Sequence, residues 1–230
     1  MTLLDLSIVI PIYNAENIIE SSVERLVGTL DFSKLNYEIL LKNDGSDDGS
    51  SAVLKAVDHK YEHVHCSSNS SNEGLGVTLQ RLFHEAQGKT IIYCDCDLPF
   101  GEKVIPLLLD GIKESDIVVA SRYCGMRNYV PSHRKIASRF YHLLCKLLFN
   151  ISVIDIGSGS LAIRKEALKQ LDLKSEGFGI HAELFIKAAR SGLSIKEIPA
   201  EHFRVNTGSF CIWKHSFATL CETATLWQKK

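Results

Sequence analysis

The chain has 230 residues, with 26 Lys plus Arg against 27 Asp plus Glu and a formal net charge of −1. Hydrophobic residues make up 45% and charged residues 23%, globular values that exclude a disordered or collagen-like chain, and the balanced charge excludes an overall basic field for gripping nucleic acid. No run approaches the roughly 18–20 apolar residues that span a bilayer.

The first half alternates between two hydrophobic periods. Leu6 to Ile12 is a β-branched run that predicts a strand, closed by Tyr13 and Asn14. Ala15 to Leu30 then predicts a helix, with Ile18, Ile19, Val23, Leu26 and Leu30 at helical spacing. Tyr37 to Leu41 is the next strand, ended by the turn and cap residues Asn43 to Ser50. A helix over Ser51 to His59, a strand over His63 to Cys66, a helix over Gly74 to Gln87 and a strand over Thr90 to Asp95 follow. Lys103 to Ile112 and Ile117 to Ser121 complete another helix and strand. Strand alternating with helix implies a parallel, doubly wound α/β sheet with right-handed crossovers. Ligands of such sheets bind beyond the carboxyl ends of the strands. The polar clusters at Asn14, Asn43 to Ser50 and Asp95 to Asp97 all fall there.

The second half is less regular. Arg122 to Ser132 is a loop. His133 to Phe149 is a helix with Ile136, Phe140, Leu143, Leu144, Leu147 and Leu148 on one side. Asp155 to Gly159 forms a turn, Leu161 to Ile163 a strand, Lys165 to Leu171 a short helix, Ala182 to Ser191 a helix and Ile195 to Ile198 a strand. Trp213 to Trp227 closes the chain as a helix. There is no linker or repeat, so one domain is expected. Seven Cys without a CxxC pair suit buried thiols in a reducing cytosol. The opening residues carry Asp5 and no basic stretch, so no cleaved leader is expected, and the expected location is cytoplasmic.

Three clusters carry chemistry. In Tyr93-Cys94-Asp95-Cys96-Asp97, strand alternation places Asp95 and Asp97 on one face. Two carboxylates converging at a strand end repel unless a cation sits between them, and hard oxygen ligands favour Mg²⁺ or Mn²⁺ with phosphate oxygens completing the shell. The plainer alternative is two solvated acids in a turn. Asn43-Asp44-Gly45-Ser46-Asp47-Asp48-Gly49-Ser50, directly after a strand, reads alone as a turn plus helix cap. In Pro11-Ile12-Tyr13-Asn14-Ala15-Glu16, Tyr13 is placed either to stack on a base or simply to pack.

Together and in this order, these clusters resemble the family 2 glycosyltransferases. The matching segments are PIYNAEN at Pro11, NDGSDDGS at Asn43, NEGLGVTLQRLFHEAQG at Asn72 and the acid pair of CDCD. Ser121-Arg122-Tyr123, the basic helix from His133, Asp155-Ile156-Gly157-Ser158-Gly159 and Gly177-Phe178-Gly179-Ile180-His181-Ala182-Glu183 resemble the dolichol-phosphate and polyprenol-phosphate hexosyltransferase branch. The resemblance covers roughly residues 5 to 210.

The resemblance implies a GT-A, Rossmann-like, mostly parallel sheet flanked by helices in a single domain, 1–230. Residues 1–121 would form the nucleotide-sugar half and 122–230 the acceptor half. It places Pro11, Tyr13 and Glu16 at the base and ribose, Asn43 and Asp44 at the base and diphosphate, and Gly74 at a helix-opening turn beside the diphosphate. Asp95 and Asp97 would hold Mg²⁺ or Mn²⁺. Arg122 and Arg134 match positions that meet an acceptor phosphate, Asp155 and Ser158 the turn closing the sugar site, Glu183 an acid at the donor-sugar end, and Arg204 a further phosphate contact. The implied reaction is inverting transfer of mannose or glucose to polyprenyl phosphate.

Three departures matter. The family usually has Asp where this chain has Asn43; an amide donates as well as accepts, so UDP-, GDP- and CDP-sugars all stay open as donors. The processive QxxRW motif is absent, which argues against a polymerising synthase. Glu183 is followed by Leu184 rather than a second acid, which favours a phosphate acceptor over a sugar hydroxyl in surface-polysaccharide assembly, with Asp155 left as a base for the latter. A non-catalytic nucleotide-sugar-binding subunit is the rival outside enzymes. The helix from His133, with Arg134, Lys135, Arg139 and Lys146 beside Phe140, Tyr141, Leu144 and Leu148, suits either peripheral contact at the cytoplasmic face of a membrane or a core-facing helix. Phe210, Ile212, Trp213, Phe217 and Trp227 offer a second membrane contact, cover for the sheet, or a homodimer interface.

Overall fold

The computed structural model describes residues 4–125, 129–203, 219–220 and 222–226, and at residue 134 the backbone alone. Seven strands form one sheet: β1 (Leu6–Ile12), β2 (Tyr37–Asn43), β3 (Val64–Ser68), β4 (Thr90–Cys94), β5 (Ile117–Ser121), β6 (Ser160–Arg164) and β7 (Ile195–Pro199). Their order is β3-β2-β1-β4-β6-β5-β7. The helices are α1 (Ile19–Leu30), α2 (Ser50–Lys60), α3 (Leu75–Glu85), α4 (Val104–Gly111), α5 (Ser132–Phe149), α6 (Lys165–Leu168) and α7 (Ile180–Arg190). β5, β6 and β7 share the sheet with β1 to β4, so both halves of the sequence build one domain, as expected.

The strand pattern explains the layers. Leu6, Ile8, Ile10, Ile12, Ile92, Cys94, Val118 and Ala120 face one core, which α1, α2 and α4 close with Ile19, Val23, Leu26, Leu54, Ile105 and Leu108. Val9, Ile91, Tyr93, Ile117, Val119, Leu161 and Ile163 face the other, closed by Leu79, Phe83, Ile180 and Phe185 from α3 and α7. Central strands buried on both faces read as continuous apolar runs. α1 buries Ile19, Val23, Leu26 and Leu30, one stripe at helical spacing.

Chain order reverses between β1 and β4, since β2 and β3 extend the sheet one way and β4 starts the other. Such a switch point leaves a crevice at the carboxyl ends of the strands. The sheet is mostly parallel, as expected; β6 runs antiparallel to both β4 and β5, with Cys94 opposite Ser160. A reversed strand begins where its neighbours end. The 154–159 turn is therefore delivered to the same rim as Asp95 and Arg122.

Of the two settings expected for the apolar side of α5, the core-facing one is not observed: Ile136, Phe140, Leu143 and Leu147 are 71, 64, 53 and 76% exposed, whereas Cys145 is buried. Residues 219, 220 and 222–226 are helical; the rest of the expected Trp213–Trp227 helix lies outside the described residues, as do Arg204, Phe210, Ile212, Trp213 and Phe217.

Candidate active site

The loops after β1 and β2 are laced together. Asn14 N donates to Ser46 Oγ (3.0 Å), Ala15 N to Ser50 Oγ (2.9 Å) and Glu16 N to Asp48 Oδ2 (3.2 Å). In return Asp47 N donates to Asn14 Oδ1 (3.1 Å) and Gly49 N to Glu16 Oε2 (2.6 Å). A Cβ on Gly49 would stand 2.3 Å from that Glu16 oxygen, so only glycine lets the carboxylate reach the start of α2. The two polar motifs are one built unit. It leaves Tyr13 39% exposed above half-buried Pro11, an aromatic face open at the rim.

Deeper in the turn, the side chains assigned to the nucleotide have partners of their own. Asn43 Oδ1 accepts from Ser46 N (3.0 Å) and Ser46 Oγ (2.6 Å), and its amide nitrogen donates to Ser51 Oγ (2.8 Å). The buried Asp44 carboxylate accepts from Asn69 Nδ2, Glu73 N and Gly74 N at 2.8–3.0 Å. Asp44 thereby fixes the entry to α3. That helix terminus, expected to face a diphosphate, is covered by the chain itself: Gly76 N donates to the Glu176 carbonyl at 2.7 Å. A Cβ on Gly74 would meet that carbonyl at 2.6 Å, and one on Gly76 would meet the Ser175 carbonyl at 2.0 Å.

The acid pair lies at the crevice. β4 ends at Cys94, and Asp95 to Leu98 form a tight turn closed by Leu98 N to the Asp95 carbonyl (3.0 Å). Turn geometry, rather than the expected strand alternation, therefore brings the two carboxylates together. Ser22 Oγ on α1 donates to the Cys96 carbonyl (2.6 Å), and Asp95 N donates to the Gly159 carbonyl (2.8 Å). The buried Tyr93 hydroxyl donates to Asp95 Oδ1. Asp97 Oδ1 is buried and has no hydrogen-bond partner among the described residues. Burial, and then the charge of Asp95, push the Asp97 carboxyl up to about 7.

An orphaned carboxylate oxygen beside a second carboxylate is what a divalent cation relieves. The pair fits Mg²⁺ or Mn²⁺. Among the described residues no group of three or more His, Cys, Asp or Glu converges to hold a metal ion, so the acid pair would hold a cation together with further ligands such as phosphate oxygens. Gly159 is needed here: a Cβ there would stand 2.3 Å from Asp95 Oδ2. Gly159→Ala is expected to weaken Mn²⁺ binding at least tenfold in titration calorimetry while the chain still folds. Unchanged affinity would remove the cradle role.

Arg122 and Asp155 form a buried pair. Arg122 N and Nε both reach Asp155 Oδ2 at 2.9 Å, Nη2 reaches Oδ1, and Nη2 also donates to the Gly157 carbonyl (2.8 Å). Asp155 is fully buried. Glu197 on β7 accepts from Ile154 N and Asp155 N, both at 2.9 Å, and Ser158 Oγ donates to the Ala120 carbonyl (2.6 Å). These groups nail down the turn that carries Gly159 to Asp95. Both Asp155 oxygens accept from Arg122, which ties the carboxylate to the guanidinium.

Glu183 is likewise engaged. Its Oε2 accepts from Lys174 N (2.9 Å) and Ser175 N (2.7 Å), and Oε1 pairs with Lys187 at 2.7 Å. Burial raises its pKa, but Lys187 and the two amides outweigh that and hold it lowered, an ionised anchor beneath the 174–176 loop. Arg134 sits in the first turn of α5, its side chain outside the described residues. Sequence reasoning missed Tyr93, Gly159 and His181. Only the motif containing His181 signalled that residue, and it lies between apolar neighbours on α7.

Residues 7–172 match the family described as Glycosyl transferase family 2. The chain is 32% identical over 198 residues to a dolichol-phosphate mannosyltransferase of Pyrococcus furiosus, covering 84% of this chain and 55% of that protein's length. It is 27% identical over 205 residues to a polyprenol monophosphomannose synthase of Mycolicibacterium smegmatis, covering 84% and 75%. Among solved structures, a glucosyl-3-phosphoglycerate synthase from Mycobacterium tuberculosis with Mn²⁺, UDP-glucose and phosphoglyceric acid superposes with a TM-score of 0.75 at 18% identity. That match covers 98% of this chain and 80% of that one, and confirms the GT-A architecture.

Proposed function

This chain belongs to glycosyl transferase family 2, and we propose that it transfers a hexose from a nucleoside diphosphate sugar to a polyprenyl phosphate, with inversion and with Mg²⁺ or Mn²⁺ as cofactor. The observation that carries this reading is the unpartnered Asp97 oxygen beside Asp95 at the sheet's switch point. Relatives named for dolichol-phosphate and polyprenol-phosphate substrates, and structural neighbours holding Mn²⁺ or Mg²⁺ with UDP, support it.

Asp95 and Asp97 would hold the cation. When bound, it neutralises charge that builds on the departing diphosphate and so favours the transition state over the ground state. Tyr93 holds Asp95 in place, and the Arg122–Asp155 pair fixes the turn bearing Gly159. Tyr13 offers its exposed face to the base. In this reading residues 1–121 supply most of the donor site, while 122–230 supply the acceptor side together with Gly159. Asn43, closed into its turn, leaves the base open among uracil, guanine and cytosine.

The acceptor reading follows from which acids are engaged. A sugar hydroxyl needs a positioned base, and both Asp155 and Glu183 are already engaged, by Arg122 and by Lys187 with two backbone amides. A phosphate is already ionised at neutral pH and needs only orientation, which Arg134 at the start of α5 is proposed to provide. Assaying UDP-, GDP- and CDP-sugars with polyprenyl phosphate and either metal tests this. The expected result is metal-dependent label in an organic-extractable product. Label confined to a water-soluble glycan would favour the hydroxyl acceptor, and donor binding without turnover would favour a binding subunit.

No helix among the described residues is long and apolar enough to cross a membrane. We assign lipid contact to α5, at the cytoplasmic face. Its exposed Ile136, Phe140, Leu143 and Leu147 recur every three or four residues, flanked by Arg139 and Lys146. An apolar stripe edged with cations seats in an anionic lipid interface. Replacing Ile136 and Leu147 together by serine is expected to lower sedimentation with anionic vesicles at least tenfold without lowering the unfolding midpoint. Equal sedimentation would contradict this seat.

A further inference from the structure

Near the acid pair lies another buried heteroatom without a hydrogen-bond partner among the described residues. His181 lies in the first turn of α7 and is 8% exposed. Its ring centroid stands 5.3 Å from that of Tyr93, tilted by 39°. The imidazole donates to the Phe178 carbonyl. Nε2 has no hydrogen-bond partner among the described residues, so that donor is Nδ1. Burial lowers the imidazole's pKa, which leaves a neutral ring with its hydrogen on Nδ1 and a bare lone pair on Nε2. The charged groups acting on the ring are Asp95, Arg122 and Asp155, all part of the site described above.

We propose that His181 Nε2 accepts a hydrogen bond from a hydroxyl of the hexose being transferred. Chemistry narrows the ligand to this class. A lone pair takes either a hydrogen or a metal ion, and an ionised diphosphate or acceptor phosphate brings no hydrogen. The donor carries hydroxyls on its ribose and on its hexose; the reading above places the ribose with the base beside Tyr13, which leaves the hexose hydroxyls for His181. A cation is the remaining alternative, and Mn²⁺ affinity in the absence of nucleotide separates it in the test below.

The segment leading to His181 is fixed in advance. Glu222 Oε2 accepts from Gly179 N at 2.7 Å. A Cβ on Gly179 would stand 2.1 Å from that oxygen, and one on Gly177 would stand 2.7 Å from Oε1, so the two glycines make room for the carboxylate. Glu183 holds Lys174 N and Ser175 N below. An acceptor preset in this way binds its hydroxyl without ordering cost.

The inference rests on the donor reading above, and the test separates the two. Calorimetry with Mn²⁺ compares UDP with UDP-glucose and GDP with GDP-mannose, on the wild-type chain, His181→Phe and His181→Gln. His181→Phe is expected to weaken the nucleotide sugar about three- to tenfold and leave the nucleoside diphosphate unchanged. His181→Gln, which restores an acceptor oxygen, should recover part of the loss. Among 2-, 3-, 4- and 6-deoxy donors, one should bind the wild type and His181→Phe alike. Equal losses for nucleotide and nucleotide sugar, a drop in Mn²⁺ affinity without nucleotide, or no loss at all would each overturn the assignment. A wild-type chain that binds neither nucleotide sugar would overturn the donor reading and this inference with it.

Discussion

Asp97→Ala is expected to cut metal-dependent transfer about a thousandfold without lowering the unfolding midpoint of the metal-free protein. The two halves of this expectation have one cause. Asp97 is held in a partly buried site with an unpartnered oxygen and a carboxylate neighbour, an arrangement that costs stability until a cation arrives. Removing the carboxylate relieves that cost and removes the binding site at the same time. The pH dependence carries a definite sign. The folded carboxyl keeps its proton up to about 7, pushed there by burial and then by Asp95, against an ordinary value of 3.8. Between those values the folded state binds more protons than the unfolded one, so metal-free stability falls as pH rises through that window. Mn²⁺ must displace this proton, so its affinity should climb up to about pH 7. Calorimetric melts at several pH values check both slopes, and Asp97→Asn should flatten them. An Asp97→Ala enzyme with normal turnover would remove the metal assignment.

Asp155→Ala is the other large effect, and it acts first on the fold. Asp155 is fully buried and takes three donors from Arg122. Truncation leaves a guanidinium in a largely buried place without its partner, at about 3–5 kcal/mol. For a chain of this size that lowers the midpoint by roughly 10 °C. Activity should fall as well, since the Arg122 and Asp155 bonds hold the turn that carries Gly159 against Asp95. Arg122→Met combined with Asp155→Leu should regain part of the stability, because paired removal leaves no stranded charge. A shift below about 2 °C for Asp155→Ala would show that the pair is not the anchor described. Loss of acceptor use at unchanged stability in Arg122→Lys would instead restore the phosphate-contact role that the resemblance implies.

Much of the frame is legible in the sequence. β1 and β5 fall at Leu6–Ile12 and Ile117–Ser121, as their unbroken apolar runs predict, and the acid pair sits at a strand end as expected. The direction of β6 is not legible, because Ser160–Arg164 has the same apolar character as its parallel neighbours and only the 150–159 connection reverses it. The acid pair converges through a turn rather than through the pleat, a difference that spacing alone does not reveal. Asn43, Asp44, Glu16 and Glu183 are recognisable as polar residues at the right edge of the sheet. What each touches is set by residues brought up from elsewhere in the chain: Asn69 and Glu73 for Asp44, Gly49 for Glu16, and Lys174 for Glu183. His181 is hidden for the opposite reason, since on a helix between Ile180 and Ala182 a lone histidine reads as core.

The measurement closest to the central claim is calorimetric binding of UDP and GDP to the wild-type chain and to Asp97→Asn, with and without Mn²⁺. The account predicts that one nucleotide binds the wild type at least tenfold more tightly when Mn²⁺ is present and that Asp97→Asn loses this gain. Nucleotide affinity indifferent to Mn²⁺, or a gain that survives in Asp97→Asn, would contradict it.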